Sequence, residues 1–369
     1  MKIAVDCTSL AKTRTGIGIY TLNLIRALSE IDGKNEYFLF AHKDFEIGFN
    51  LPVNFQIVKP GIGFTRATLW LMLEAPFELR KNKIALFHGT NFLVPRFSGC
   101  KKVSTVHDIS SIVMPGKHSL MHKLSHKIFL KDSMHRADRI ISVSEFTKSE
   151  IVRFFPKFGQ KVVVVHEAAS PEYRKITDSA ILDSLKSKYK LPEKFILFVG
   201  TLEPRKNVAG LIEAFNIARE KIPGTKLVIA GGKGWLYEEI FNKVGELGIQ
   251  DNVFFIGYVR YDELPALYSL ARVLCYPSFY EGFGLPPLEA AACGTPVVTS
   301  DRSSIPEVMD GAALLANPDD PGDIAEKLIS AINDETLRKA LIEKGTRQCA
   351  EFSWRECAIK TLAVYESIT

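Results

Sequence analysis

Short runs of β-branched and aromatic residues alternate with longer stretches of helical periodicity along the whole chain, and few folds tolerate that rhythm. A strand, a helix and a second strand bring the chain back in the same direction, so the pattern predicts parallel sheets covered by helices. In the first half the runs are KIAVDCT, EYFLFAH, NFQIVKP, LFHGTN, KVSTVHDI, RIISVSE and VVVVHEA. A second series follows: FILFVGT, KLVIAGG, VFFIGYV, VLCYPS, PVVTSD and AALLANP. Each series opens on a strand, a glycine-bearing turn and a helix, GIGIYTLNLIRAL in one and GTLEPRKNVAGLIEAF in the other. The polar, Pro-punctuated segment 169–193 lies between them as an interdomain linker would. The expected fold class is α/β: two doubly wound domains, 1–172 and 173–352, facing a central cleft. A terminal helix at about 353–369 is a candidate to pack back on the first domain.

Composition narrows the class. With 369 residues and 46% apolar content, a core can form without covalent staples, and the six cysteines show no paired short spacing for disulfides or zinc. A reducing cytoplasm fits. No basic leader and no run of eighteen uncharged apolar residues is visible, so neither secretion nor a membrane span is expected. The net charge of +5 is mild but uneven. Lys117, Lys123, Lys127, Lys131, Arg136 and Arg139 face only Asp132 and Asp138 over 117–139, which indicates a local acidic partner and not a nucleic acid. His118, His122 and His126 would share a helix face, but the lysines among them argue against a metal site. With Leu120, Leu124, Ile128 and Phe129, this segment reads as a basic amphipathic surface on anionic lipid headgroups, or as a solvated helix.

The chemistry concentrates after strands. In SFYEGFGLPPLEAAACGTPVV, 278–298, a glycine turn leads into a helix that Pro286 and Pro287 can start and Gly294 can stop. Amides at that helix start, with its positive dipole end, would make an anion site. Glu281 then sits on the loop and Glu289 one turn inside the helix, so the two carboxylates address different parts of one elongated ligand. The bland alternative is a tight turn with solvated acids. In TLEPRKN, Arg205 and Lys206 stand after the strand that ends at Gly200, where a guanidinium and an ammonium can meet a diphosphate. Gly16 and Gly18 mark the first strand-to-helix turn, but Thr21 occupies the third glycine position of a dinucleotide fingerprint, and no P-loop stretch exists. His107 and Asp108 end one strand; His88 and Asn91 end another.

Glu281 to Glu289, with Gly282, Phe283, Gly284 and Leu285 between, resembles the E-x7-E signature of retaining GT-B glycosyltransferases of family 4, and the likeness covers nearly the whole chain. It implies two Rossmann-like domains and a nucleoside-diphosphate sugar as donor. Glu281 would hold donor-sugar hydroxyls, the 282–285 backbone would cradle sugar and phosphate, and Glu289 would bind the ribose. Arg205 and Lys206 would neutralise the leaving diphosphate, and backbone at Tyr258 and Val259 would read the base. The Gly16–Gly18 loop would lie beside donor phosphate and acceptor. His107 would contact the donor sugar, with Asp108 orienting its imidazole or meeting the acceptor; His88 and Asn91 fall on the acceptor side. No cofactor and no metal are implied, in keeping with the absence of a D-x-D pair. GIGIYTLNL, FHGTNFLVP and VHDIS add a likeness to bacterial mannosyltransferases of surface polysaccharide synthesis, hence GDP-mannose as donor and a saccharide or lipid-linked saccharide as acceptor. UDP-glucose or UDP-N-acetylglucosamine transfer, sugar-nucleotide epimerisation, and a catalytically silent binding module are the alternatives.

Overall fold

The computed structural model describes residues 1–11, 16–59, 61, 64–65, 67–114 and 120–369, with side chains described outside 120–126. The chain forms two compact units, Met1–Glu167 with Ser353–Thr369, and Ala168–Phe352.

The first unit is built on seven strands: β1 (Lys2–Asp6), β2 (Glu36–Phe40), β3 (Phe55–Val58), β4 (Leu86–Gly89), β5 (Lys101–Val106), β6 (Arg139–Ser142) and β7 (Val162–Val164). They run in the order β3-β2-β1-β4-β5-β6-β7, every pair parallel. The second unit has β8 (Phe195–Val199), β9 (Lys226–Ala230), β10 (Val253–Gly257), β11 (Val273–Tyr276), β12 (Val297–Ser300) and β13 (Leu314–Ala316). Their order is β10-β9-β8-β11-β12-β13, again all parallel. Each of the thirteen apolar runs is therefore a strand, and the α/β doubly wound class is what the chain adopts. Helices cover both faces of such sheets, so the central strands carry continuous apolar runs: in FILFV the first four side chains are buried.

Strand order reverses between β1 and β4 in one sheet and between β8 and β11 in the other. Outside the carboxyl ends at such a reversal the loops diverge and leave a crevice for ligands. There the first sheet offers the loop after β4, with Thr90 and Asn91, and the second offers Gly200–Lys206 and Ser278–Glu281.

The segment expected to be a linker is packed structure instead. Tyr173 is buried against Tyr261 and Tyr268, with ring centroids 5.4 and 6.0 Å away, and residues Ser179–Tyr189 form a helix whose start Asp178 caps. Its polar residues face solvent while Tyr173 and Leu185 anchor it. The terminal helix Trp354–Glu366 packs on helix Gly16–Ile31, with the Trp354 and Tyr20 rings edge to face at 5.9 Å.

Candidate active site

The second unit gathers charge at the β8/β11 reversal. Pro204–Lys206 form one 3-10 turn, and Asn207, at φ 54°, redirects the chain into helix Val208–Ala218 while its Nδ2 donates to Pro318 O at 2.6 Å. The loop after β11 is tied to this turn by Phe279 N donating to Arg205 O at 2.9 Å. Across β9, Gly231 lies so close to Gly200 that a Cβ there would stand 1.8 Å from the Gly200 carbonyl oxygen.

Glu281 is the hub. Its Oε1 accepts from Lys206 Nζ at 2.7 Å and Ser278 Oγ at 2.5 Å, and its Oε2 accepts from Arg205 Nη1 at 3.2 Å. Arg205 also donates through Nη1 to Tyr280 O at 2.7 Å and through Nε and Nη2 to Glu203 Oε1 at 3.0 and 2.8 Å. Lys206 Nζ donates to Tyr276 OH at 2.5 Å and sits 5.1 Å from that ring's centroid. Two cations and two carboxylates thus share one buried cluster, Glu281 being 6% and Lys206 9% exposed. Burial pushes the Glu281 carboxyl up, but Lys206, Arg205 and the hydrogen bonds to it prevail and hold it below the usual value. Burial first, and Arg205 second, draw Lys206 down from the ordinary lysine value, against both carboxylates.

The turn that follows needs glycine: Gly284 has φ 102°, and a Cβ on it would meet Ile305 Cδ1 at 2.5 Å. Helix Leu285–Ala292 starts there. Pro286 and Pro287 lack N–H groups, so the expected anion site keeps the amides of Gly284 and Leu285 only. The loop is braced from β12 onward: Glu281 N donates to Ser303 Oγ at 3.0 Å, and Ser304 Oγ reaches the carbonyls of Glu281 and Phe283 at 3.0 and 2.9 Å. Gly282 is buried, and the buried Phe283 ring meets Phe352 edge-on at 5.6 Å. Glu289 Oε2 accepts from Tyr268 OH at 3.0 Å inside the helix. After β10, Tyr258 is 49% exposed, whereas the Val259 side chain is buried.

In the first unit, His107 follows β5 with both ring nitrogens engaged: Nδ1 lies 2.8 Å from Glu167 Oε1 and Nε2 lies 2.8 Å from Thr90 O. Orientation of this ring, the first of the two roles expected of Asp108, therefore falls to Glu167. Asp108 Oδ1 instead accepts from Ser110 N and Oγ at 2.9 and 2.7 Å, bracing the short helix Ser110–Val113. His88 also departs from expectation. It is fully buried within β4, its nitrogens 2.6 Å from Tyr365 OH and 2.7 Å from Thr105 Oγ1, so it joins the terminal helix to the sheet and does not reach an acceptor. Burial, then the nearby His107 charge, lowers its pKa to about 3 and keeps it neutral. Asn91 is half-buried just past β4. Gly16 is exposed and Gly18 buried at the start of helix Gly16–Ile31, where a Cβ on Gly18 would meet Ser9 O at 3.2 Å.

The glycosyltransferase group 1 family model ("Glycosyl transferases group 1") matches residues 183–348, and that of "Glycosyltransferase Family 4" matches 14–173. O-antigen chain mannosyltransferase B of Escherichia coli is 33% identical, over 99% of this chain and 100% of that protein. The chain belongs to glycosyltransferase family 4. Its fold is GT-B: sucrose-phosphate synthase from Thermosynechococcus elongatus superposes with TM-score 0.78 at 19% identity, covering 100% of this chain and 98% of that one. Anabaena HepE in complex with UDP and glucose superposes with TM-score 0.76 at 17% identity, covering 100% of each chain.

This family 4 enzyme thus brings Arg205, Lys206 and Glu281 into direct contact, while Glu289 lies one helical turn on. Ser278, Glu203 and Tyr276 join these groups without having been anticipated, and in the first unit Glu167 joins His107 in the same way. Glu203 had a signal, two residues before Arg205 in TLEPRKN; Glu167 had only its place at a strand end. Among the described residues no three His, Cys, Asp or Glu side chains converge as metal ligands. Lys117 and His118 lie outside the described residues, as do the side chains of Leu120, His122, Lys123, Leu124 and His126. Of the basic surface, Lys127, Lys131 and Ile128 are described and exposed. No described helix is long and apolar enough to cross a membrane.

Proposed function

We propose that this glycosyltransferase moves mannose from GDP-mannose, with retention at the anomeric carbon, onto a hydroxyl of a saccharide or lipid-linked saccharide in surface polysaccharide synthesis. The Arg205–Lys206–Glu281 cluster carries the transfer part of this reading. As the bond from the anomeric carbon to the diphosphate breaks, negative charge grows on phosphate oxygen; a guanidinium and an ammonium held beside a strand end stabilise it there. An ionised carboxylate has about four acceptor sites, and the three donors on Glu281 leave room for a sugar hydroxyl. The acceptor oxygen forms the new bond on the face the diphosphate leaves, and its proton passes to a diphosphate oxygen. The products are the mannosylated acceptor and GDP. Glu289 is assigned to the ribose, Tyr258 and Val259 to the base, the 282–285 backbone to sugar and phosphate, Gly200 and the Gly16–Gly18 loop to the donor, the latter with the acceptor beside it, and Asn91 to the acceptor side.

Full-length likeness to a mannosyltransferase supports the donor assignment. We place the enzyme in the cytoplasm, with Lys127, Ile128 and Lys131 contributing to contact with an anionic membrane face. Incubation with GDP-mannose, UDP-glucose or UDP-N-acetylglucosamine and a lipid-linked saccharide, followed by assay of released nucleoside diphosphate and product linkage, tests this. GDP release coupled to an α-mannosyl product is expected. A uridine donor preferred over GDP-mannose refutes the mannosyl assignment, and epimerisation without nucleotide release refutes transfer.

A further inference from the structure

The imidazole of His107 is caught between two acceptors. Thr90 O is a carbonyl and can only accept, so the nitrogen 2.8 Å away, Nε2, carries a hydrogen. Nδ1 faces a Glu167 carboxylate oxygen at 2.8 Å, and Glu167 is itself 4% exposed. A buried ionised carboxylate in that position demands a donor, which makes both nitrogens protonated and the ring a cation. The contacts extend outward from this pair. Thr90 Oγ1 donates to Asp6 O at 2.6 Å and accepts from Thr21 Oγ1 at 3.0 Å, while the Tyr20 ring meets His107 edge-on at 4.7 Å. One continuous set of bonds thereby joins the ends of β1, β4 and β5, the residue Glu167 beyond β7, and helix Gly16–Ile31.

We propose that Glu167 is a positioning residue for glycosyl transfer: it holds His107 as a doubly donating imidazolium, and His107 in turn fixes the Thr90 carbonyl, and with it the β4 loop, at the first sheet's reversal point. No N–H is left on the ring for a substrate, so His107 works here through its charge and its grip on Thr90. The groups facing the pair agree with this state. Asp108 is adjacent and anionic, His88 on β4 is held neutral, and Tyr20 on helix Gly16–Ile31 is kept protonated by burial first and by Cys357, Tyr365 and Glu167 after. Cys357 on the terminal helix is likewise kept a thiol, by burial and then Glu167. Burial, the largest single influence, would lower the His107 pKa, but the bond and charge of Glu167, with the bond to Thr90 and the charge of Asp108, together outweigh it and the net shift is upward.

The proposal rests on the transferase reading but not on which donor is used, and its first test needs no turnover. Nitrogen-15 histidine spectra of the wild-type enzyme should show both His107 nitrogens still protonated above the ordinary histidine value of about 6.5, and Glu167→Gln should move the His107 titration to lower pH. In the second test, kcat/KM of the wild type should stay flat to higher pH than that of Glu167→Gln, which should fall by about tenfold or more as its His107 loses the proton. Glu167→Asp, which keeps the charge, should restore the flat profile in part. A wild-type His107 that titrates near 6.5, or a Glu167→Gln profile that parallels the wild type, overturns the proposal. Absence of turnover with GDP-mannose alongside the expected spectra would count against the donor and leave this assignment standing.

Discussion

Glu281 is pulled two ways, by burial toward the neutral acid and by Lys206 and Arg205 toward the carboxylate, and the cations win. A carboxyl whose folded pKa is depressed adds stability that is complete above its unfolded value of about 4.5 and is lost as pH falls through the folded one. Glu281→Gln should therefore be less stable than wild type at neutral pH, by roughly 2–3 kcal/mol for hydrogen bonds to a charged group. The difference should shrink as pH drops below about 4.5; thermal melts of both proteins from neutral to acid pH measure it, and a gap that ignores pH contradicts this account of the cluster. On the proposed leaving-group role, Arg205 should bear on turnover more than on fold. Arg205→Ala should lower kcat by about tenfold to a hundredfold, since it removes about 1.5–3 kcal/mol of charge-assisted stabilisation as the diphosphate departs. A folded Arg205→Ala enzyme with unchanged kcat would remove this residue from the leaving-group role.

At the scale of elements, helix Leu285–Ala292 depends on how it is entered. Gly284 takes φ 102°, which an L side chain rarely adopts, and its missing Cβ leaves room for Ile305. Gly284→Ala should cost about 1–3 kcal/mol through that backbone strain, and should also raise the KM for donor by displacing the 282–285 backbone. Normal stability by denaturant titration would show that the turn can re-form with a side chain in place. Such turns were legible because glycine and proline punctuate them, and the central strands because covering on both faces keeps their apolar runs continuous; outer strands such as Phe55–Val58 and Val162–Val164 kept β-branched or aromatic residues although part of each is exposed. Partnerships between strand ends were not legible. Glu167 and His107 are 60 residues apart and meet only because the parallel order carries their strand ends to one edge, which no local pattern encodes. His88 misled for the same reason, since its partner Tyr365 lies 277 residues away on the last helix. Asp108, beside a histidine in sequence, turned to the nearer amide at Ser110, as aspartates at helix starts do.

Across the whole molecule, the chain leaves its first unit after Glu167 and returns to it at Ser353, so the last helix belongs to the sheet that began the chain. Ser353 Oγ caps that helix by accepting from Glu356 N at 3.1 Å, and Trp354 and Tyr365 are buried along it. Tyr365 OH is the Nδ1 partner of His88, whose Nε2 faces Thr105 Oγ1, which in turn lies 3.1 Å from Tyr20 OH; the terminal helix is thus bonded through β4 and β5 to the first helix. Tyr365→Phe keeps the ring but leaves a buried imidazole nitrogen without its partner, a loss of about 1–3 kcal/mol. If each unit's stability resides in its own sheet, the weakening should be local. Hydrogen exchange in Tyr365→Phe should then quicken over residues 86–89 and 101–106, where β4 and β5 lie, and stay at wild-type rates over 195–199 and 273–276, where β8 and β11 lie. Equal loss of protection in both sheets would mean that the two units open together and that the terminal helix stabilises the whole chain, not the first unit alone.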